Sequence, residues 1–234
     1  MIIDFSYYTY RGKVRQKNED SIFAAADGDL GIFAVADGMG GHYGGEIAGS
    51  RLTAALKDRW DSFLLSETDF EMAKEGLKET VSLVNGQLYA EYAAKGRMCG
   101  TTAAILFVYG NKYAAINSGD SRIYSCHSMR LRQESMDQTA GNLFSETDEK
   151  SSGKLISAVG CHESCELYVR TGNIPKRTVF LICSDGLYRY NSETDIKKAI
   201  LFSAKPADII GKLSRNAEKG GAADNYSGIA VKLR

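Results

Sequence analysis

Three stretches of this chain place an aspartate at the mouth of a strand-like run. Leu30 to Ala36 is apolar and stops at Asp37-Gly38. Thr178 to Cys183 is apolar and stops at Ser184-Asp185-Gly186. Ala223-Asp224-Asn225 precedes a last stretch in which Ile229, Val231 and Leu233 alternate with small or polar residues. Continuous apolar runs of this length read as buried strands. A carboxylate at the end of such a strand, beside glycine, presents an oxygen ligand and bare backbone to an ion or a phosphate. The glycine-rich run from Gly38 to Gly45 also reads as a plain turn between a strand and a helix, so the remainder of the chain has to decide.

Spacing adds two more acids. Residues 2–10 mix Ile, Phe and Tyr as a first strand, and Ile22 to Ala25 forms another. Asp27-Gly28-Asp29 is a hairpin signal joining Ile22–Ala25 to the Leu30 run. A hairpin brings Asp20, at the start of one strand, beside Asp37, at the end of its neighbour. Asp120 lies in Ser118-Gly119-Asp120-Ser121, within short strands (103–108, 113–117, 122–125, 129–132) that read as an antiparallel meander. An ordinary turn aspartate would look the same at that position.

Helical periodicity occupies the intervals. Ala48, Leu52, Ala55 and Leu56 form one stripe, and Phe70, Ala73, Leu77, Val81, Val84, Leu88 and Tyr92 a second, with Thr68 and Glu71 as its capping box. Near the C-terminus, Ser192 caps one helix and Pro206 heads another that stops at Gly220-Gly221. These stripes read as packing faces. Residues 134–154 are polar and aperiodic, and are expected to form a mobile surface flap.

Composition excludes several classes. The 234 residues carry 29 Lys plus Arg and 29 Asp plus Glu, so net charge gives no case for nucleic-acid or membrane binding. No run approaches the ~20 apolar residues of a membrane helix, and the opening Met1-Ile-Ile-Asp4 has no secretory pattern. The five cysteines form no CxxC pair and read as reduced thiols of a cytoplasmic protein. Cys161-x3-Cys165 has no second pair to complete a zinc site.

The acids therefore form an oxygen-only set, suited to Mg²⁺ or Mn²⁺ rather than zinc. Convergent carboxylates need a cation to stay ionised together. Two cations about 3.5–4 Å apart can share a water and lower its pKa towards neutrality, giving a nucleophile for phosphoryl transfer. Arg15, just before Asn18-Glu19-Asp20, is placed to grip a phosphate in bidentate fashion. On spacing alone, scattered surface turns remain the alternative.

Six motifs in order then carry a resemblance: Gly12-x-Val14-Arg15-x-x-Asn18-Glu19-Asp20, Val35-Ala36-Asp37-Gly38-Met39-Gly40-Gly41-His42, Gly100-Thr101-Thr102-Ala103, Asn117-Ser118-Gly119-Asp120-Ser121-Arg122, Ser184-Asp185-Gly186-Leu187 and Asp224-Asn225-Tyr226-Ser227. From about Arg11 to Leu233 the chain resembles the metal-dependent serine/threonine protein phosphatases of type 2C, in their bacterial form. The resemblance implies an α+β fold: a four-layer α-β-β-α sandwich of two antiparallel sheets flanked by helices, spanning residues 1–234 as one catalytic domain.

It implies hydrolysis of phosphoserine and phosphothreonine monoesters in proteins by a hydroxide bridging two Mn²⁺ or Mg²⁺ ions, with a third ion as an option. Asp37 would bridge the metals, Gly38 would offer its carbonyl, and Asp185 and Asp224 would ligate one metal. Asp20 would act through water, Asp120 would serve the third ion, and Arg15 would bind phosphate. His42 stands near the site, as a proton-transfer group or a structural one. Implied partners are phosphoproteins and a cognate Ser/Thr kinase, with the protein a cytoplasmic monomer that binds neither nucleic acid nor membrane.

Many relatives carry an Asp-His pair after the strand matched by 129–132. Here that place reads Glu134-Ser135, and the flap after it looks short and without a helical run. The altered flap motivates one alternative, a regulatory phosphatase devoted to one partner; a second is a phosphoprotein-binding pseudophosphatase without turnover, against which the intact acids argue.

Overall fold

Alternation inside the apolar runs decides the architecture. The computed structural model describes residues 1–39, 44–65, 69–144 and 153–234. In chain order the elements are β1 (Ile3–Tyr10), β2 (Ser21–Asp27), β3 (Leu30–Ala36), β4 (Gly38–Met39), α1 (Gly45–Leu65), α2 (Phe70–Ala93), β5 (Gly100–Thr101), β6 (Ala103–Tyr109), β7 (Lys112–Ser118), β8 (Arg122–His127), β9 (Arg130–Gln133), α3 (Ala140–Phe144), β10 (Tyr168–Asn173), β11 (Val179–Cys183), α4 (Asp185–Tyr188), α5 (Glu193–Leu201), α6 (Pro206–Lys219) and β12 (Tyr226–Leu233).

Successive strand side chains point to opposite faces. In β3, Phe33 and Val35 enter a core shared with Phe180, Ile182, Ile229 and Val231, while Ile32, Ala34 and Ala36 pack against Leu52, Leu56 and Leu77 of α1 and α2. In β11, Phe180 and Ile182 point inward, while Val179, Leu181 and Cys183 pack against Ile196, Ile209 and Leu213 of α5 and α6. Both strands are therefore buried on two faces, which is why their sequences are continuous apolar runs. The result is four layers: a helical layer, the sheet β10-β7-β6-β3-β2, the sheet β1-β12-β11-β8-β9, and a second helical layer. All strand pairs within these sheets are antiparallel.

Local signals place most elements as expected. β2 and β3 pair from Ser21↔Ala36 to Asp27↔Leu30, closing at Gly28 with φ +58°. Ser192 caps α5 through a reciprocal capping box with Asp195, and Pro206 occupies the first turn of α6. Helix α2 starts differently. Its cap is Asp69, whose side chain accepts from Met72 N–H (2.8 Å), and Thr68 lies outside the described residues.

Two further expectations fail. The strands from 103 to 132 do not form one meander: β6 and β7 pair in one sheet, β8 and β9 in the other. The Ser118–Ser121 turn is the crossover between the sheets, and Gly119 makes it with φ +98°. The segment after β9 is not a surface excursion at its start, because Glu134, Ser135 and Gln138 are buried. Protein groups take up most of their polarity: Ser125 Oγ donates to Glu134 Oε1 (2.6 Å), Ile123 N–H to Ser135 Oγ (3.0 Å), and Gly119 N–H to Gln138 Oε1 (2.9 Å), while Glu134 Oε2 makes no hydrogen bond and lies 3.6 Å from Arg170 and 3.7 Å from Arg132. A short helix, α3, follows where none was expected. The remainder of the expected flap, 145–152, lies outside the described residues.

Phe33 sits in the inter-sheet core at 0% exposure, its ring 5.2 Å from that of Phe5. Phe33→Ala is expected to cost about 3–5 kcal/mol, read as a lower denaturant midpoint with an unchanged slope in chemical unfolding.

Candidate metal centre

Register delivers the acids to one end of the sandwich. Asp20 precedes β2 and Asp37 follows β3, flanking the terminal pair Ser21↔Ala36. Cys183 closes β11 opposite Arg122 of β8 and Gly228 of β12, so Asp185, Asp120 and Asp224 come from the same end of the second sheet. The space between them is a cavity of ≈ 290 Å³ whose wall includes Arg15, Asp37, Gly38, Asp120, Asp185 and Asp224. Asp20 lies just behind, 7% exposed.

Backbone contacts hold these loops together. Asp37 is pinned by the Thr101-Thr102 pair: its N–H donates to Thr102 Oγ1 (2.9 Å), and its carbonyl accepts from Thr102 N–H (2.8 Å) and Thr101 Oγ1 (3.1 Å). Asn225 ties the Arg15 loop to the Asp224 loop, donating to Arg11 O (2.7 Å) and Lys17 O (2.8 Å) and accepting from Glu19 N–H (2.9 Å). Ser184 Oγ donates to Asp20 Oδ2 (2.9 Å) and accepts from Ser227 N–H (2.9 Å). Two glycines are required by close approach. A Cβ on Gly38 would lie 2.3 Å from Gly45 O, and one on Gly186 would lie 1.9 Å from Asn225 O. No side chain fits where these loops cross.

The electrostatics are those of crowded like charges. Burial raises the Asp37 carboxyl well above the usual carboxylate range, and Asp20, Asp185, Asp120 and Asp224 raise it further, although solvent still reaches it through the cavity. Asp185 is raised by burial, partly offset by Arg189, with the charge of Asp224 raising it further. Burial lifts Asp20 to about 7 against hydrogen bonds from Ser227 and Ser184, and burial with nearby Asp185 lifts Asp120 to about 6. Arginines already engage two of the acids. Arg15 Nη2 lies 2.7 Å from Asp224 Oδ2, and Arg189 Nη2 lies 2.8 Å from Asp185 Oδ2. With those pairs made, no three His, Cys, Asp or Glu side chains among the described residues stand close enough to enclose an ion.

The donor set nonetheless suits a hard divalent cation. It is all oxygen, it carries several negative charges in one small cavity, and Asp20 Oδ1 is buried without a hydrogen-bond partner. Such an oxygen is satisfied by an ordered water or a cation.

Of the sequence candidates, Arg15, Asp20, Asp37, Gly38, Asp120, Asp185 and Asp224 meet at this end of the fold, and His42 lies outside the described residues. Glu134-Ser135 does not reach the site. The acid that grips the Gly119-Asp120-Ser121-Arg122 turn is Asp137, which accepts two bonds from Arg122 Nε (3.1 and 3.0 Å) and one from Nη2 (2.7 Å). Sequence reading gave no role to Thr102, Asn225 or Arg189. The signal for Arg189 was its i, i+4 spacing from Asp185 across a helical turn.

The family model for protein phosphatase 2C matches residues 10–218. The chain belongs to that family of phosphatases. It is 29% identical over 243 residues to the serine/threonine phosphatase stp of Listeria monocytogenes, covering 97% of this chain and 94% of the relative. It is 29% identical over 247 residues to the serine/threonine protein phosphatase PstP of Mycobacterium tuberculosis, covering all of this chain and 45% of that longer protein. Among solved structures, PppA, a regulatory component of the type VI secretion system in Pseudomonas aeruginosa, superposes with TM-score 0.91 at 25% identity, covering 100% of this chain and 99% of that one. The catalytic domain of PstP in complex with two manganese ions gives TM-score 0.84 at 28% identity, covering 99% of each chain.

The crowded acids set the pH response of the metal-free protein. An acid whose pKa is higher folded than unfolded stabilises the fold below its unfolded value, and that contribution is lost as pH rises through the folded value. For Asp120 and Asp20 the window runs from about 4 up to about 6 and about 7. In chelator-treated protein, the melting temperature is expected to fall by at least a few degrees between about pH 5 and about pH 8, and added Mn²⁺ should remove most of the fall. Thermal scans at fixed ionic strength check this.

Proposed function

We propose that this chain is a metal-dependent protein serine/threonine phosphatase whose reaction is carried by the acidic end of the sandwich. The observation that carries the reading is the meeting of Asp37, Asp185, Asp224, Asp120 and Arg15 in one cavity from distant parts of the chain. The family match and the two manganese ions in the PstP structure support the same assignment.

Asp37, Asp185 and Asp224, with the Gly38 carbonyl, are the proposed holders of a pair of Mn²⁺ or Mg²⁺ ions. Asp20 would act through water, and Asp120 would hold a third ion. Bound there, divalent cations offset the carboxylate repulsion and make a water acidic enough to ionise near neutral pH. The remaining work falls to the chain itself. Thr101 and Thr102 fix the Asp37 peptide, Asn225 sets the Arg15 loop against the Asp224 loop, and Arg15 has a fork geometry suited to phosphate oxygens. Arg15 is 53% exposed, so it can turn from Asp224 to a substrate. Serine and threonine phosphoesters on proteins are the substrates, with a cognate Ser/Thr kinase as the opposing partner.

A cytoplasmic, monomeric protein completes the proposal. All five cysteines are free, which suits a reducing compartment. No helix among the described residues is long and apolar enough to cross a membrane. Size-exclusion chromatography with light scattering is expected to give the monomer mass of 25.5 kDa.

Asp37→Ala and Asp185→Ala are expected to abolish Mn²⁺-dependent release of phosphate from a phosphothreonine peptide. Arg15→Ala should lower kcat/KM by about a hundredfold while leaving Mn²⁺ binding in place. Undiminished turnover in either aspartate variant would sink the assignment, and wild-type protein that binds manganese and phosphopeptide without turnover would favour the pseudophosphatase reading.

A further inference from the structure

Among the described residues, the cavity wall carries two cations, Arg15 and Arg189. They arrive on different loops, Arg15 between β1 and β2 and Arg189 just after α4. Each is paired with a proposed ligand acid, at 2.7 Å to Asp224 and 2.8 Å to Asp185. The next arginine nearby is committed elsewhere. Arg122 makes three bonds to Asp137, one to Tyr124 Oη (3.0 Å), and stacks 3.8 Å over the Tyr188 ring. Arg189 makes a single ion pair and is 58% exposed, so the guanidinium stays solvated when it leaves Asp185. Its charge is felt by Asp120 as well as Asp185.

We propose that Arg189 is a counter-ion and specificity residue of the centre. It neutralises Asp185 while the site is metal-free, gives way when a divalent cation takes that carboxylate, and then offers its guanidinium to a second anionic group beside the phosphorylated residue of the substrate.

The proposal rests on the phosphatase reading and names the substrate class for it. An acid cannot serve an arginine and a cation equally well. Asp185 has one net charge, and a divalent ion held against it leaves Arg189 facing like charge. The guanidinium stays tethered to the cavity wall, beside the position that Arg15 reserves for phosphate. A planar fork with five donors at the mouth of a phosphate pocket recognises carboxylate or phosphate. Substrates with an acidic side chain, or a second phosphate, next to the scissile phosphothreonine are therefore preferred over neutral neighbours.

Two measurements test this, and the first needs no turnover. Isothermal titration of metal-free protein with Mn²⁺ is expected to show about two- to fivefold tighter binding in Arg189→Gln, because a competitor and a repelling charge are both removed. Arg189→Lys, which keeps the charge, should stay near wild type. In the second, kcat/KM is compared for three phosphothreonine peptides with an adjacent Ala, Glu or second phosphothreonine. Wild type should favour the anionic peptides by about three- to tenfold, through KM, and Arg189→Gln at saturating Mn²⁺ should bring the kcat/KM ratio between the anionic and Ala peptides to about one, whereas Arg189→Lys should keep most of it. The Glu and phosphate arms tell which anion the site takes. Unchanged manganese affinity in Arg189→Gln, or an unchanged preference ratio, overturns the proposal. If the wild-type protein binds manganese but hydrolyses none of the peptides, the phosphatase reading fails while the titration still reports on Arg189.

Discussion

Repulsion among carboxylates at one end of the sandwich is the constraint on which the rest of this structure depends. Five acids are held at that end by strand ends and loops from both sheets. Water screens little of their mutual field, since Asp20 and Asp120 are each 7% exposed. The protein answers in two ways. Some acids hold protons at pH values where free aspartate would not, with burial lifting Asp37 and Asp185 in the same direction, and Arg15 and Arg189 reach across the rim. Each answer is reversible, as it must be if a cation is to replace it. A cluster neutralised by buried, fully bonded partners would be more stable and could not exchange them for metal.

Rigidity beneath that cluster comes from double-sided burial. β3 and β11 are packed by helices on one face and by the opposite sheet on the other, so their ends are fixed in position. The loops add side chain to backbone bonds that run between distant segments: Thr102 to Asp37, Asn225 to residues 11–19, Ser184 to Asp20. These groups supply no ligand. They fix the backbone from which the acids project, so that only side chains have to rearrange when charge is bound, which limits the ordering cost.

Legibility in the sequence followed the range of the signal. Strand runs, the β2–β3 hairpin, the amphipathic stripes of α1 and α2 and the caps of α5 and α6 depend on neighbours within a few residues, and all were readable. The crossover at Gly119 was not, because a tight glycine turn looks the same whether its strands pair or part. The buried start of the 134–154 segment was misread for a similar reason. Glu134, Ser135 and Gln138 look solvent-seeking in sequence, and only the fold supplies the hydroxyls, peptide groups and arginine charges that they meet inside. Asp137 and Arg189 were missed because each matters through a partner: the bidentate arginine of a neighbouring strand, and a carboxylate one helical turn away.

By itself the sequence determined the order of strands and helices, the four-layer class through its family motifs, and the identity of the acids at strand mouths. Those are properties of single segments, written in periodicity and in the residue that follows it. Only the tertiary structure decided that β7 and β8 lie in different sheets, that Asp37, Asp120, Asp185 and Asp224 line one cavity, and that Arg15 pairs with Asp224. Charge interactions fall with distance through space, and the distance between groups such as Arg15 and Asp224, 209 residues apart in the chain, is set only once the sheets have closed on each other.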